Sequence, residues 1–170
     1  MPEQEEQLEI VDERGNVIGL ARRSEIHANP SLIHRVVHAL VFSPEGELLL
    51  QKRSRNKDVA PGEWDTSVGG HAGVGEEPSL AVEREMEEEL GIVCPGAEYL
   101  YTYLYSSPYE TELVTTYRCT YAGEFRINRE EIDEARFWPL EKIRDAMGKG
   151  ILSDHFEHEF RTYLNHGESK

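Results

Sequence analysis

With 170 residues, 38% hydrophobic and 30% charged, the chain is long enough to bury one core and has the proportions of a globular domain. Its formal net charge of −15 excludes a protein that grips nucleic acid or an anionic membrane through Lys and Arg, and it requires a cation between the protein and any anionic substrate. The acidic opening MPEQEEQLEIVDE has neither half of a signal peptide, the apolar runs ALVF and ELLL fall far short of the ~20 residues of a membrane span, and Cys94 and Cys119 lack metal-type spacing, so a cytoplasmic protein with two ordinary thiols is expected.

In chain order, Leu8–Val11 and Val17–Ala21 flank Arg14-Gly15-Asn16 and predict an N-terminal β-hairpin. Val36–Phe42 and Glu47–Gln51 flank Ser43-Pro44-Glu45-Gly46 and predict a second. Trp64–Val68 predicts a short strand running into Gly69-Gly70. Residues 78–90 predict a helix, with Pro78 in the first turn and Gly91 as the left-handed C-terminal cap. Tyr99–Tyr105 and Leu113–Tyr121 alternate and are β-rich, Arg136–Trp138 is a last short strand, and helices follow near 140–147 and 153–165. Strands and helices interleave without a regular βαβ rhythm, which predicts an α/β fold with a central mixed sheet and helices on both faces. No repeat or linker divides the chain, so one domain over 1–170 is expected, with 1–28 as a hairpin extension.

The helix at 78–90 carries five glutamates in the eight residues Glu83 to Leu90. At about 100° per residue, Val82, Met86 and Leu90 form one apolar arc and Glu85, Glu88 and Glu89 fall in the adjacent arc. Like charges at this spacing repel by ~0.2–0.5 kcal/mol per pair, and oxygen ligands at this density suit Mg²⁺ or Mn²⁺. A glutamate run alone is more often a solvated acidic face; the loop before it changes that reading. Gly70-His71-Ala72-Gly73-Val74-Gly75-Glu76, seven residues, then Arg84-Glu85-Met86-Glu87-Glu88-Glu89-Leu90-Gly91-Ile92 meets all nine specified positions of G-x5-E-x7-R-E-U-x-E-E-x-G-U over residues 70–92.

On this motif the chain resembles the Nudix hydrolases. The resemblance implies an α/β/α sandwich and Mg²⁺-dependent cleavage of a diphosphate linkage in a nucleoside diphosphate derivative or related organic diphosphate. It implies Glu85, Glu88 and Glu89 as metal ligands, one doubling as general base, with a carbonyl of Gly69 or Gly70 as a further ligand. Arg84 would orient a carboxylate and Glu76 would brace the loop. A small-molecule diphosphate is the expected partner, with nucleic acid and membrane excluded and a homodimer among the assemblies allowed. Substrate choice would lie in loops such as 106–111 and 122–134.

From about Leu8 to Tyr121 the chain is also similar to type I isopentenyl-diphosphate isomerase, a branch of the same fold. The residues that carry this are His27 and His34, the run Leu48 to Ser54, Pro61-Gly62-Glu63-Trp64, Gly70-His71 and Glu110-Thr111-Glu112. The resemblance implies a second metal site at His27, His34, His71, Glu110 and Glu112, and diphosphate contacts from Arg53 and Lys57. Two departures count against isomerisation. Gly69 stands where the isomerases carry their catalytic cysteine, and Glu85 and Glu88 are acidic where isomerases generally are not. An isomerase-like activity stays as an enzymatic alternative, and a nucleotide-sensing binding module of the same fold as a non-enzymatic one. His38 has no assigned role, and His155 and His158 are expected to face solvent on an amphipathic C-terminal helix.

Overall fold

The computed structural model describes residues 5–57 and 59–168. Among these, nine strands form one mixed sheet: β1 Gln7–Val11, β2 Val17–Arg22, β3 Ile33–Phe42, β4 Leu48–Arg53, β5 Trp64–Asp65, β6 Val68–His71, β7 Glu98–Ser106, β8 Thr111–Thr120 and β9 Ile132–Trp138. Four helices accompany them: α1 Arg23–His27, α2 Pro78–Leu90, α3 Leu140–Ala146 and α4 Asp154–Glu168. None is long and apolar enough to cross a membrane.

The organising element is β3. One edge runs parallel to β8 from Ile33↔Thr111 to Phe42↔Thr120; the other is shared by β1, β6 and β4. Flanked on both sides, it is buried almost throughout. Successive side chains alternate between the faces of the sheet. Val37, Ala39 and Val41 meet Val82, Met86 and Leu90 of α2, whereas Leu40 and Phe42 meet Ile143 of α3 and Phe156 and Phe160 of α4. That division makes the α/β/α sandwich expected from the sequence. The N-terminal hairpin forms as predicted, and β1 pairs with β3, which makes residues 7–22 an edge of the main sheet.

Helix α2 occupies 78–90 with Pro78 at its start, and Gly91 at φ 64° closes it through its N–H to Glu87 and Met86 carbonyls. Val82, Met86 and Leu90 are fully buried, each contributing roughly 1.5–3 kcal/mol relative to exposure. That outweighs the mutual repulsion of the glutamates and fixes which arc faces the sheet.

Two expectations are corrected. Trp64–Val68 is two strands, because the chain changes partner: Trp64 and Asp65 pair with β4, and Val68 onward pairs with β3. Ser67 makes the crossing, its hydroxyl accepting from the Val41 N–H at 3.0 Å and donating to the Leu49 carbonyl. The last strand is longer than Arg136–Trp138, since β4 offers a partner from Leu48↔Trp138 to Arg53↔Ile132. Helix α1 was unanticipated; at five residues it is too short for periodicity to reveal.

Candidate active site

The loop between β6 and α2 is held by charge. Arg84 donates from Nε to Glu76 Oε2 at 2.9 Å, from Nη2 to Glu76 Oε1 and the His71 carbonyl at 3.0 Å, and from Nη1 to Glu85 at 2.8 Å and Glu88 at 3.1 Å. Glu76 also accepts the Gly73 N–H at 2.8 Å. The Arg84 hydrogen bond, above all, holds the Glu76 carboxyl below its ordinary range. Arg35 of β3 supports the same loop through the Glu76 carbonyl at 3.2 Å and pairs with Glu9.

The three glutamates share one arc of α2 but have different surroundings. Glu88 is exposed, whereas burial raises the Glu85 carboxyl against the opposing pull of Arg84. Glu89 is half-buried along its stem and enclosed at its tip, where Oε1 meets Gln51 Nε2 at 3.3 Å and Oε2 has no hydrogen-bond partner. Burial, then the neighbouring Glu85 charge, pushes its carboxyl up to about 8. Gly70 lies under Glu85: a Cβ there would come within 2.6 Å of both carboxylate oxygens.

These surroundings set a pH dependence. The native state holds the Glu89 proton up to about 8, against 4.5 for an ordinary carboxyl. Stability from the neutral buried form is fully present below 4.5 and is lost as pH rises through about 8. Chelator-treated protein is therefore expected to melt at falling temperature in the upper part of this window, between about 6.5 and about 8, at up to about 1.4 kcal/mol per pH unit for one group. Below about 6.5, His34 and His71, described next, act in the opposite sense. Glu89→Gln should flatten the profile between about 6.5 and about 8; thermal melts with the same slope in both proteins would refute this origin.

On the opposite face of the sheet, His34 of β3, His71 of β6 and His27 of α1 converge, with ring centroids 5.1–5.9 Å apart and one ligand atom from each within 4.8 Å of the others. Burial first, and cationic neighbours second, lowers His34 and His71 to about 4, leaving neutral imidazoles. Glu110 Oε2 lies 3.1 Å from His27 Nε2 and 3.7 Å from His34 Nε2. These atoms are not aligned as hydrogen bonds, and all three stay buried and unsatisfied. Buried polar atoms are normally satisfied, so such a group calls for a ligand.

Glu112 stands between this set and a second group, its carboxyl lying against that of Glu110. Glu112 Oε1 is 3.9 Å from His155 Nδ1, and with His38 and His155 it offers one ligand atom each within 4.8 Å of the others. The expectation for His155 is thereby corrected, since it turns inward from α4; His38, which had no assigned role, is buried. His158 is half-buried against Tyr103 and Tyr105. Arg53 and Lys57 are both engaged within the chain, Arg53 with Asp65 at 3.4 Å and the Val59 carbonyl at 2.8 Å, and Lys57 with Glu131. Sequence reading gave no role to Gln51, Asp65 or Glu159. A signal existed for Glu159, which sits between Phe156 and Phe160 in the apolar arc of α4 and is fully buried.

A family model described as the NUDIX domain matches residues 32–157. An uncharacterized Nudix hydrolase of Streptomyces coelicolor is 35% identical over 151 residues, 88% of this chain and 83% of that protein. An isopentenyl-diphosphate Delta-isomerase of Streptomyces avermitilis is 31% identical over 155 residues, 88% of this chain and 79% of that protein. Nudix hydrolase 3 of Arabidopsis thaliana is 30% identical over 160 residues, 85% of this chain, and the chain spans 21% of that longer protein. The crystal structure of DR0079 from Deinococcus radiodurans matches with a TM-score of 0.78 at 26% identity, covering 92% of this chain and 98% of that one.

Proposed function

Since the chain belongs to the Nudix family, we propose that it is a Mg²⁺- or Mn²⁺-dependent hydrolase that cleaves a diphosphate linkage in a nucleoside diphosphate derivative or related organic diphosphate. The observation that carries this reading is the carboxylate arc of α2 set against Gly70 and held by Arg84. Its donors are all oxygens, Glu89 Oε2 is enclosed without a partner, and the absent side chain at position 70 leaves a cradle for Glu85. These features fit a hard divalent cation.

Glu85, Glu88 and Glu89 would hold the ion, with a backbone carbonyl of Gly69 or Gly70. A bound Mg²⁺ supplies charge neutralisation and electrophilic activation at phosphorus. The chain's own contribution is position and proton transfer. Arg84 and Glu76 fix Glu85 and the loop. Water attacks phosphorus as the bridging P–O bond breaks, and its proton passes to a carboxylate of the arc, a role that Glu89 fits through its enclosed, partnerless Oε2. Arg53 and Lys57 would meet the substrate diphosphate by exchanging their present partners, Asp65 and Glu131, for phosphate oxygens. A cytoplasmic location fits this role. A homodimer would use the edge strand β2, where Val17, Ile18 and Leu20 are exposed. The test is a panel of organic diphosphates incubated with Mg²⁺ and assayed for released phosphate or monophosphate. Hydrolysis of none, at concentrations that saturate related enzymes, would overturn the reading.

The histidine cluster with Glu110 favours a second reading for that face, a transition-metal site, because imidazole nitrogen prefers Zn²⁺ or Mn²⁺ to Mg²⁺. The expected result is that His27→Ala/His34→Ala lowers bound transition metal by about one equivalent per chain in elemental analysis. Equal content in the two proteins would reduce these histidines to scaffold. Isomerisation is a different matter. Proton transfer to and from carbon needs an acid and a base on opposite faces of the double bond, and Gly69 offers neither. The protein is expected to incorporate no deuterium from heavy water into the allylic product of isopentenyl diphosphate above an enzyme-free control. Incorporation would restore the isomerase alternative.

A further inference from the structure

We propose that His38, His155 and Glu112 form a further metal site, one that takes a borderline divalent transition ion such as Zn²⁺, on the face of the sheet opposite the glutamate helix and adjoining the His27/His34/His71 cluster through Glu110. The three side chains come from β3, α4 and β8, and one ligand atom from each lies within 4.8 Å of the others. Two imidazoles and one carboxylate are a donor set for such ions, with coordination positions left open.

The supporting residues carry the argument further than the ligands alone. A metal-binding histidine characteristically donates its other ring N–H to a fixed acceptor, which sets its tautomer and aims its lone pair. His38 Nδ1 lies 2.7 Å from Glu159 Oε1, which leaves Nε2 for a ligand. Burial alone would raise the Glu159 carboxyl, but the hydrogen bonds of His38, Tyr101 and Tyr103 hold it below its ordinary value, so it remains an acceptor. Thr116 donates to the same carboxylate at 2.9 Å and Tyr103 at 2.8 Å. His155 is fixed in the same manner: its Nε2 lies 3.3 Å from the Tyr103 hydroxyl, which leaves Nδ1 on the side of Glu112 Oε1, 3.9 Å away. Tyr105 stacks on the His155 ring at 3.9 Å and 4°, setting its plane.

A satisfied polar core would account for Glu159, which has four donors. It does not account for two imidazoles with centroids 4.8 Å apart, whose remaining nitrogens, His38 Nε2 and His155 Nδ1, are left over from these hydrogen bonds beside a buried carboxylate. Burial keeps His155 neutral down to about 3, so its lone pair is available across the physiological range. The His155 side chain is 19% exposed, which gives an ion a route in from solvent. Gly69 borders the site as well: a Cβ there would stand 3.3 Å from His38 Nε2, on the side where the ion would bind.

The test uses the full chain with His27→Ala/His34→Ala, so that the neighbouring cluster is removed. After Zn²⁺ loading and gel filtration in excess Mg²⁺, this protein should retain about one zinc per chain, and adding His155→Phe, which keeps an aromatic ring for Tyr105 to stack on, should remove it. Tyr103→Phe should weaken zinc binding roughly ten-fold without changing the stoichiometry at saturation. A double variant that retains no zinc, or a His155→Phe derivative that retains all of it, overturns the proposal. Proton NMR supplies a readout that needs no further substitution. On zinc addition to the double variant, the imidazole Cε1–H signals of His38 and His155 should shift together, and signals that stay in place overturn the proposal equally. Because none of these readouts uses hydrolysis, their failure is distinguishable from failure of the hydrolase reading.

Discussion

Replacing Glu89 by glutamine is expected to lower kcat for diphosphate hydrolysis by on the order of 10³-fold while the fold persists, since several kcal/mol of charge stabilisation and a proton acceptor are lost together. Glu89 Oε1 meets Gln51 and Oε2 has no partner, so a neutral amide of the same shape fits the site without breaking the fold. At pH above about 8 the variant should even be more stable than chelator-treated wild type, because it carries no buried charge. Loss of activity with gain of metal-free stability is the signature of a functional carboxylate. Steady-state kinetics at saturating Mg²⁺ and thermal melts after chelation measure the two. Near-normal turnover would remove Glu89 from the machinery.

Gly70→Ala is expected to cost activity on a similar scale through one methyl group. An added Cβ would lie within 2.6 Å of both Glu85 oxygens, a separation real atoms do not adopt. The clash is with the far end of a flexible side chain, so Glu85 swings away and the strand stays. The melting temperature should fall by no more than a few degrees, as for a change of under about 1 kcal/mol, while kcat falls by about 10²-fold or more. Gly69→Ala is the contrasting substitution. Its Cβ would stand 3.1 Å from His38 Cδ2, on the other face of the sheet, and it should spare hydrolysis relative to Gly70→Ala. Equal loss in both would mean that the backbone of β6, and not the placement of Glu85, is what the substitutions disturb.

The motif over residues 70–92 was legible in the sequence because its geometry is local. A helix of fixed pitch places Glu85, Glu88 and Glu89 beside the arc of Val82, Met86 and Leu90, whatever the rest of the chain does. Pro78 and Gly91 mark its ends by their own backbone preferences, and both ends were found in place. The Arg84–Glu76 pair, eight residues apart, follows from the same helix and its loop. Alternation likewise announced β7 and β8 as strands, and the turn at Ser43 to Gly46 announced β3.

Alternation does not say which strands are neighbours, and that is what the tertiary structure decided. The parallel register of β3 on β8 sets His34 opposite Glu112 and His38 opposite Thr116. The same register, with α4 laid across that face, brings Glu159 within 2.7 Å of His38 from 121 residues away. From sequence, Glu112 was grouped with His27, His34 and His71; in the fold it also meets His155, brought in from α4. The physical reason is that hydrogen bonds between strands are the same for any partner. The choice among registers rests on burial summed over the whole sheet, and no single segment carries that sum.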